Sequence, residues 1–160
     1  VSGDKDLAQL LEPGVRMYNL AKDDWLDVDR VPEKMGVRAD QILDLLALTG
    51  DSVDNIPGVR GVGPKAATAL LAEFPDLGAI YADLDRVEAL PVRGAKGLRR
   101  KLEAGREQAL LRRRLVELDR DAPCPCGSSE LRYRGADAAE LEAFAERWGL
   151  GRVAVRTPRR

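Results

Sequence analysis

Apolar positions along the chain follow two periods. Residues 6–11 place Leu7, Leu10 and Leu11 on one face of a short helix. Residues 15–20 (VRMYNL) follow a Pro13-Gly14 turn and alternate as a strand does. Val1 and Ser2 read as the end of a buried strand. Residues 28–34 predict a short helix leading to Gly36. Residues 38–48 predict a longer one, striped by Ile42, Leu45, Leu46 and Leu48 and stopped by Gly50. Ile56-Pro57-Gly58 cannot continue a helix, Gly61 and Gly63 prolong the turn, and Pro64 suits the first position of the helix KAATALLAEF. Residues 75–83 predict a further helix with Leu77, Ile80 and Tyr81 inward. Residues 95–118 predict two helices or one bent at Gly105. A Pro/Cys/Gly/Ser loop at 119–129 leads to a tail of strand (131–133), helix (137–147) and strand (152–155). The tail helix carries Leu141, Phe144 and Trp148 on one core-packing stripe. The pattern is that of a mostly α-helical chain with a few short strands.

Composition removes several classes of function. At 160 residues and 44% hydrophobic content, the chain is one ordinary domain or two small ones with a real core. No apolar run approaches the roughly 18 residues of a membrane span, and no signal-peptide pattern is visible. A cytoplasmic monomer that avoids membranes is the expectation. Val1 in place of Met suggests a processed chain, an alternative start or a fragment. Histidine is absent, which excludes histidine general-base chemistry and Ser-His-Asp triads. Cys124 and Cys126 are too close for an unstrained disulfide and too few for zinc, so they read as a surface turn in a reducing compartment. Charge is uneven: residues 1–55 hold 12 acids and 6 bases, residues 56–160 hold 15 acids and 20 bases. An acidic half before a basic half suits metal ions beside a polyanion track.

The segment from Gly58 to Lys65, GVRGVGPK, lies between two predicted helices. Glycines allow close backbone approach to a ligand. The following helix begins with unpaired N–H groups and partial positive charge, where phosphate binds. Lys65 lies in its first turn. This is a helix-hairpin-helix signature, which grips a nucleic-acid backbone without reading bases. It is not a Walker loop, because Pro64 precedes the lysine and Ala66 follows it. The competing reading is a plain helix–helix turn.

Two pairs of acids stand out. Asp51 and Asp54 follow the helix of residues 38–48, and if the turn stays helical they share a face. Acids at a helix C-terminus are unfavourable without a cation; Asp54 reads alternatively as a cap of the next turn. Asp4 and Asp6 follow the expected strand end, where ligands bind in α/β sheets, and Asp4 reads alternatively as a helix cap. Clusters made only of aspartate favour Mg²⁺ or Mn²⁺ over zinc. Two such ions about 4 Å apart support phosphodiester cleavage without histidine.

These residues resemble the bacterial 5′→3′ exonuclease and flap endonuclease family, which includes the nuclease domain of DNA polymerase I and stand-alone relatives. The matching strings are SGDKDLAQLL (2–11) and LTGDSVDNIPGVRGVGPKAATALLAEF (48–74), with weaker similarity over 90–118. The resemblance implies a PIN-like α/β nuclease, of which this chain would be the C-terminal half. Residues 1–37 would close the nuclease core, 38–121 form the helix-hairpin-helix (H3TH, SAM-like) domain, and 122–160 form a tail. It implies metal binding by Asp4, Asp6, Asp51 and Asp54. It implies a duplex grip by Gly58, Arg60, Gly61, Val62, Gly63 and Lys65, with K⁺ at the hairpin carbonyls. The family's Asp-Gly strand, acid-rich helix and basic arch precede the segment matching Val1.

Nine bases lie between Arg93 and Arg114, against Glu103 and Glu107. Beside a hairpin grip, Arg93, Lys96, Arg99 and Arg100 read as a second phosphate track, or else as a solvated face. The expected activity is Mg²⁺-dependent, structure-specific 5′ nuclease action on DNA with a 5′ flap or 5′ end. The alternative is a duplex-binding module that does not cut alone; a purely structural helical domain is more remote.

Overall fold

A computed structural model describes residues 1–90, 94–132 and 135–156. They fall into two compact units, Val1–Asp119 and Arg120–Arg160.

The first unit opens with a 3-10 turn, Lys5–Leu10, and a hairpin of β1 (Met17–Asn19) and β2 (Asp24–Leu26), paired antiparallel with Tyr18 opposite Trp25. The helices α1 (Val31–Met35), α2 (Ile42–Thr49), α3 (Pro64–Glu73), α4 (Leu77–Ala82), α5 (Leu84–Glu88), α6 (Ala95–Ala104) and α7 (Arg106–Val116) follow. Between α2 and α3, β3 (Gly50–Asp51) pairs with β4 (Ile56–Pro57).

The core centres on α2, whose Ile42, Leu46, Ala47 and Leu48 are buried and which packs on α3 and α7. Two polar residues in this core are satisfied rather than stranded. The Gln41 side-chain amide donates to the carbonyls of Leu71, Phe74 and Pro75 at 2.7–3.1 Å, closing the C-terminal end of α3. Asp44 accepts from Arg113 Nε at 2.7 Å and from the Leu77 N–H at 3.1 Å, tying α2 to α7 and to the start of α4.

The expected elements at 6–11, 15–20, 28–34, 38–48, 64–74 and 75–83 have counterparts, and Gly105 separates α6 from α7. Strand β2 and helix α5 carried no clear periodic signal because each is very short. Val1–Ser2 is not a strand: one hydrogen bond, Ser2 N–H to the Tyr18 carbonyl at 2.9 Å, reaches β1, and Val1 is exposed.

The second unit holds a 3-10 turn (Ser128–Leu131), α8 (Ala138–Trp148) and α9 (Gly151–Arg156). Asp137 caps α8 by accepting from the N–H groups of Ala139 and Glu140, and Gly149 ends it in the left-handed region. The strand expected at 131–133 is instead the end of that 3-10 turn at Leu131, where Glu130 accepts the Gly127 N–H at 2.7 Å; Tyr133 lies outside the described residues. The strand expected at 152–155 is helical. An unpaired strand leaves its backbone groups unsatisfied, whereas a helix satisfies them internally. The stripe on α8 is not core: Phe144 is 54% and Trp148 60% exposed. So small a unit has little interior to offer.

Candidate metal centre and nucleic-acid interface

Helix α2 stops at Thr49 because Gly50 adopts φ 75°, ψ 177°, and the chain turns back as a tight hairpin. A Cβ on Gly50 would lie 2.2 Å from the Gly58 nitrogen, and one on Gly58 would lie 2.2 Å from the Thr49 carbonyl oxygen. Only a glycine at each place allows the two backbone segments to touch. Asp51 and Asp54 therefore do not share a helical face. Asp51 sits on the ladder opposite Ile56, and Asp54 occupies the turn beyond it.

That turn meets the first residues of the chain. Single carboxylate oxygens of Asp6, Asp51 and Asp54 lie within 4.8 Å of one another. Asp4 is not in this trio: it caps the 3-10 turn, accepting the Asp6 N–H at 3.0 Å. It still lines the same cavity of about 500 Å³, with Gly3, Lys5, Lys22 and Val53.

The three carboxylates differ electrostatically. Asp51 is 2% exposed; it accepts the Val53 N–H at 2.8 Å and pairs with Lys5 Nζ at 3.0 Å. Those contacts, the lysine foremost, hold its carboxyl below the usual range. Asp6 is pushed above it by burial and by repulsion from Asp51, Asp4 and Asp54. Its Oδ1 is buried and accepts no hydrogen bond. A buried carboxylate oxygen without a donor is unfavourable, and a divalent cation bound by hard oxygen ligands would satisfy it. The donor set fits Mg²⁺ or Mn²⁺.

The hairpin presents a different chemistry. Val59 and Val62 are buried and anchor it, so Val62 faces inward and offers only its backbone to a ligand. Arg60, Gly61, Gly63 and Lys65 are exposed, while Gly58 is partly covered by the clasp with Gly50. Helix α3 starts at Pro64, and no side chain caps it. The carbonyl of Gly61 accepts Lys101 Nζ at 3.1 Å, fastening the hairpin to α6.

The basic run divides sharply. Lys96 and Arg100 are exposed and make no ion pair with the described residues. Arg99 is held by Glu88 at 3.1 Å and Asp85 at 3.0 Å, so it is a tie between α5 and α6 rather than a free phosphate contact. Arg93 lies outside the described residues. Arg112 is buried beside Gln108, and Arg113 belongs to Asp44. Two members of the run join a residue distant in sequence: Arg60 from the hairpin and Arg100 and Lys101 from α6 line one cavity of about 360 Å³ with Gln108. Sequence reasoning passed over Lys5 and Lys22. The signal for Lys5 was its place between the two acids of Asp4-Lys5-Asp6.

A family model described as the C-terminal SAM fold of 5′-3′ exonuclease matches residues 37–139. The chain belongs to this 5′-3′ exonuclease family. It is 51% identical over 121 residues to DNA polymerase I of Pseudomonas aeruginosa, covering 75% of this chain and 13% of that protein. It is 40% identical over 138 residues to the flap endonuclease Xni of Shewanella sediminis, covering 86% and 51%. The 5′-3′ exonuclease of Buchnera aphidicola is 37% identical over 131 residues, with 82% and 46% covered. The chain thus spans about half the length of the stand-alone relatives. Among solved structures, the 5′-exonuclease of bacteriophage T5 with bound zinc aligns at TM-score 0.61 and 27% identity, covering 72% of this chain and 41% of that one. A T5 flap endonuclease variant in a pseudo-enzyme–product complex with DNA and metal ions aligns at 0.60 and 28%, covering 72% and 40%. The expected class, a largely helical SAM-like portion of a 5′ nuclease, is the class found. Among the described residues no helix is long and apolar enough to cross a membrane.

Proposed function

We propose that this chain supplies the duplex grip and part of the metal centre of a Mg²⁺-dependent, structure-specific 5′ nuclease acting on DNA with a 5′ flap or 5′ end. The observation that carries the reading is the convergence of single carboxylate oxygens of Asp6, Asp51 and Asp54 within 4.8 Å of one another. Bound Mg²⁺, with Mn²⁺ as its substitute, would supply an activated water and stabilise the leaving oxygen, ideally as two ions. Asp6, Asp51 and Asp54 hold the metal. Asp4 positions Asp6 through the cap it provides. Arg60, Lys65, Lys96 and Arg100, with the backbone of Gly61 and Gly63, hold duplex phosphates. In this reading residues 1–37 belong to the nuclease core, 38–121 to the grip and 122–160 to a tail. K⁺ at the hairpin is part of the same proposal, using carbonyls other than that of Gly61, which Lys101 engages. The protein acts as a cytoplasmic monomer.

A second reading, a duplex-binding module inactive by itself, is favoured by one feature. Only three carboxylates converge among the described residues, few for two hard cations that each take about six ligands. Flap cleavage with Mg²⁺ separates the two. Cleavage abolished by Asp51→Asn supports the nuclease. No cleavage, with salt-sensitive duplex binding retained, supports the module. Duplex affinity unchanged by Lys65→Ala together with Arg60→Ala would refute the grip in both.

A further inference from the structure

Lys5 stands in an unusual place for a cation. Its ammonium lies 3.0 Å from Asp51 Oδ2, inside the cavity that Asp6 and Asp54 also line. Asp51 is 2% exposed, whereas Lys5 is 49% exposed. The carboxylate is fixed, and the lysine, on its flexible four-carbon stem, can reach water without unfolding anything. The other Asp51 oxygen, Oδ1, already accepts the Val53 N–H. Lys5 thus covers the Asp51 oxygen that the Val53 N–H does not engage.

We propose that Lys5 is a placeholder cation: it neutralises Asp51 while the centre holds no divalent ion, and a divalent ion must displace it to bind. The inference rests on the metal-centre reading above and deepens it. Two facts beyond the carboxylate cluster support it. Lysine has three donors and no acceptor, so its ammonium cannot ligate the metal and can only repel it. Lys22 lines the same cavity, so the displaced ammonium meets a second cation and turns toward solvent. The consequence is a threshold. The centre stays closed at low divalent concentration without leaving Asp51 uncompensated, and it opens when the ion outcompetes the lysine.

The test is Mn²⁺ binding to the full 160-residue chain, read by the electron paramagnetic resonance of free Mn²⁺, for wild type, Lys5→Met, Lys5→Gln and Lys5→Arg. Circular dichroism first verifies that each is folded. Removing one like charge from within a side-chain length of a divalent ion should tighten Mn²⁺ binding roughly tenfold in Lys5→Met and Lys5→Gln at low salt. The gain should shrink as ionic strength passes about 0.1 M, and Lys5→Arg should bind within about twofold of wild type. The metal-free Tm of Lys5→Met should fall, and Mn²⁺ should raise it by more than it raises wild type. Unchanged or weaker Mn²⁺ binding in both neutral variants would overturn the proposal, leaving Lys5 as an organiser of the site. If no folded protein, wild type included, binds Mn²⁺ at millimolar concentration, the metal-centre reading falls with it. That outcome is distinct from failure of the displacement alone.

Discussion

Arg113 is the sharpest place to separate the fold from the grip. By sequence it belongs to an arginine run that reads as a phosphate track. In the fold its Nε lies 2.7 Å from Asp44 Oδ1, and Asp44 is 3% exposed. Removing one partner of a buried ion pair costs about 3–5 kcal/mol, because the other charge is left uncompensated. Arg113 is 39% exposed, so water can re-enter beside Asp44, and the Leu77 N–H remains bonded to its other oxygen. Discounting for that screening, Arg113→Ala should cost about 2 kcal/mol. In a unit of this size, that lowers Tm by roughly 8 °C. The variant should nonetheless bind duplex DNA with an unchanged salt slope at a temperature where it is folded. Asp44→Asn keeps an acceptor for Leu77 while losing the charge, and a double-mutant cycle with Arg113→Ala should return a coupling of about 1–2 kcal/mol. Thermal melts by circular dichroism and fluorescence anisotropy of a labelled duplex across a salt series measure both quantities. An Arg113→Ala protein with wild-type Tm and a salt slope reduced by about 0.9 would refute the reasoning, because that is the signature of a lost phosphate contact.

The opposite pattern is expected at the hairpin: Lys65→Ala with Arg60→Ala should keep Tm within about 2 °C and reduce the duplex salt slope by about 2. Gly58→Ala should be severely destabilising, by about 3 kcal/mol or more, since its Cβ would lie 2.2 Å from the Thr49 carbonyl. Gly63→Ala has nothing within 4 Å of its Cβ and should fold normally; if the proposed grip holds, it should bind duplex more weakly in anisotropy titrations, because a methyl group would stand in the path of the phosphate. The two acids should respond oppositely to pH in EDTA. Asp6 is held above its ordinary value near 3.8, so its charge opposes folding at neutral pH. Asp6→Asn should raise Tm there, with the gain fading as pH falls through the raised folded pKa toward 3.8. Asp51 is held below 3.8, so Asp51→Asn should lower Tm at neutral pH, with the loss fading as pH falls below 3.8.

Much of the architecture was legible because its determinants are local. Gly50, Pro64 and Gly105 mark helix limits by backbone chemistry alone, and the stripe on α2 is core as its spacing implies. What escaped is what depends on distant partners. Nothing near Arg113 or Arg99 in sequence announces that Asp44, Asp85 and Glu88 neutralise them. The stripe on α8 has ordinary core spacing, yet spacing cannot reveal that Phe144 and Trp148 are exposed. In the acidic cluster, type and number pointed to a hard cation, but that Asp6 rather than Asp4 comes within 4.8 Å of Asp51 and Asp54 was not legible, because Asp4 caps the 3-10 turn.

The density of the motif from Gly50 to Lys65 follows from the same geometry. Asp51 and Ile56 face each other on a two-rung ladder, Gly50 touches Gly58, and the Val59 N–H bonds the Leu48 carbonyl at 2.8 Å. Buried Val59 and Val62 then fix the loop that carries Arg60, Gly63 and the start of α3. No freely rotating joint separates Asp51 from the hairpin. On the proposed reading, a phosphate at Gly63 and Lys65 would stand at a set distance from Asp51, determined by a glycine clasp rather than by either site. If the proposed nuclease reading holds, that fixed distance would serve to measure the cut from a duplex end.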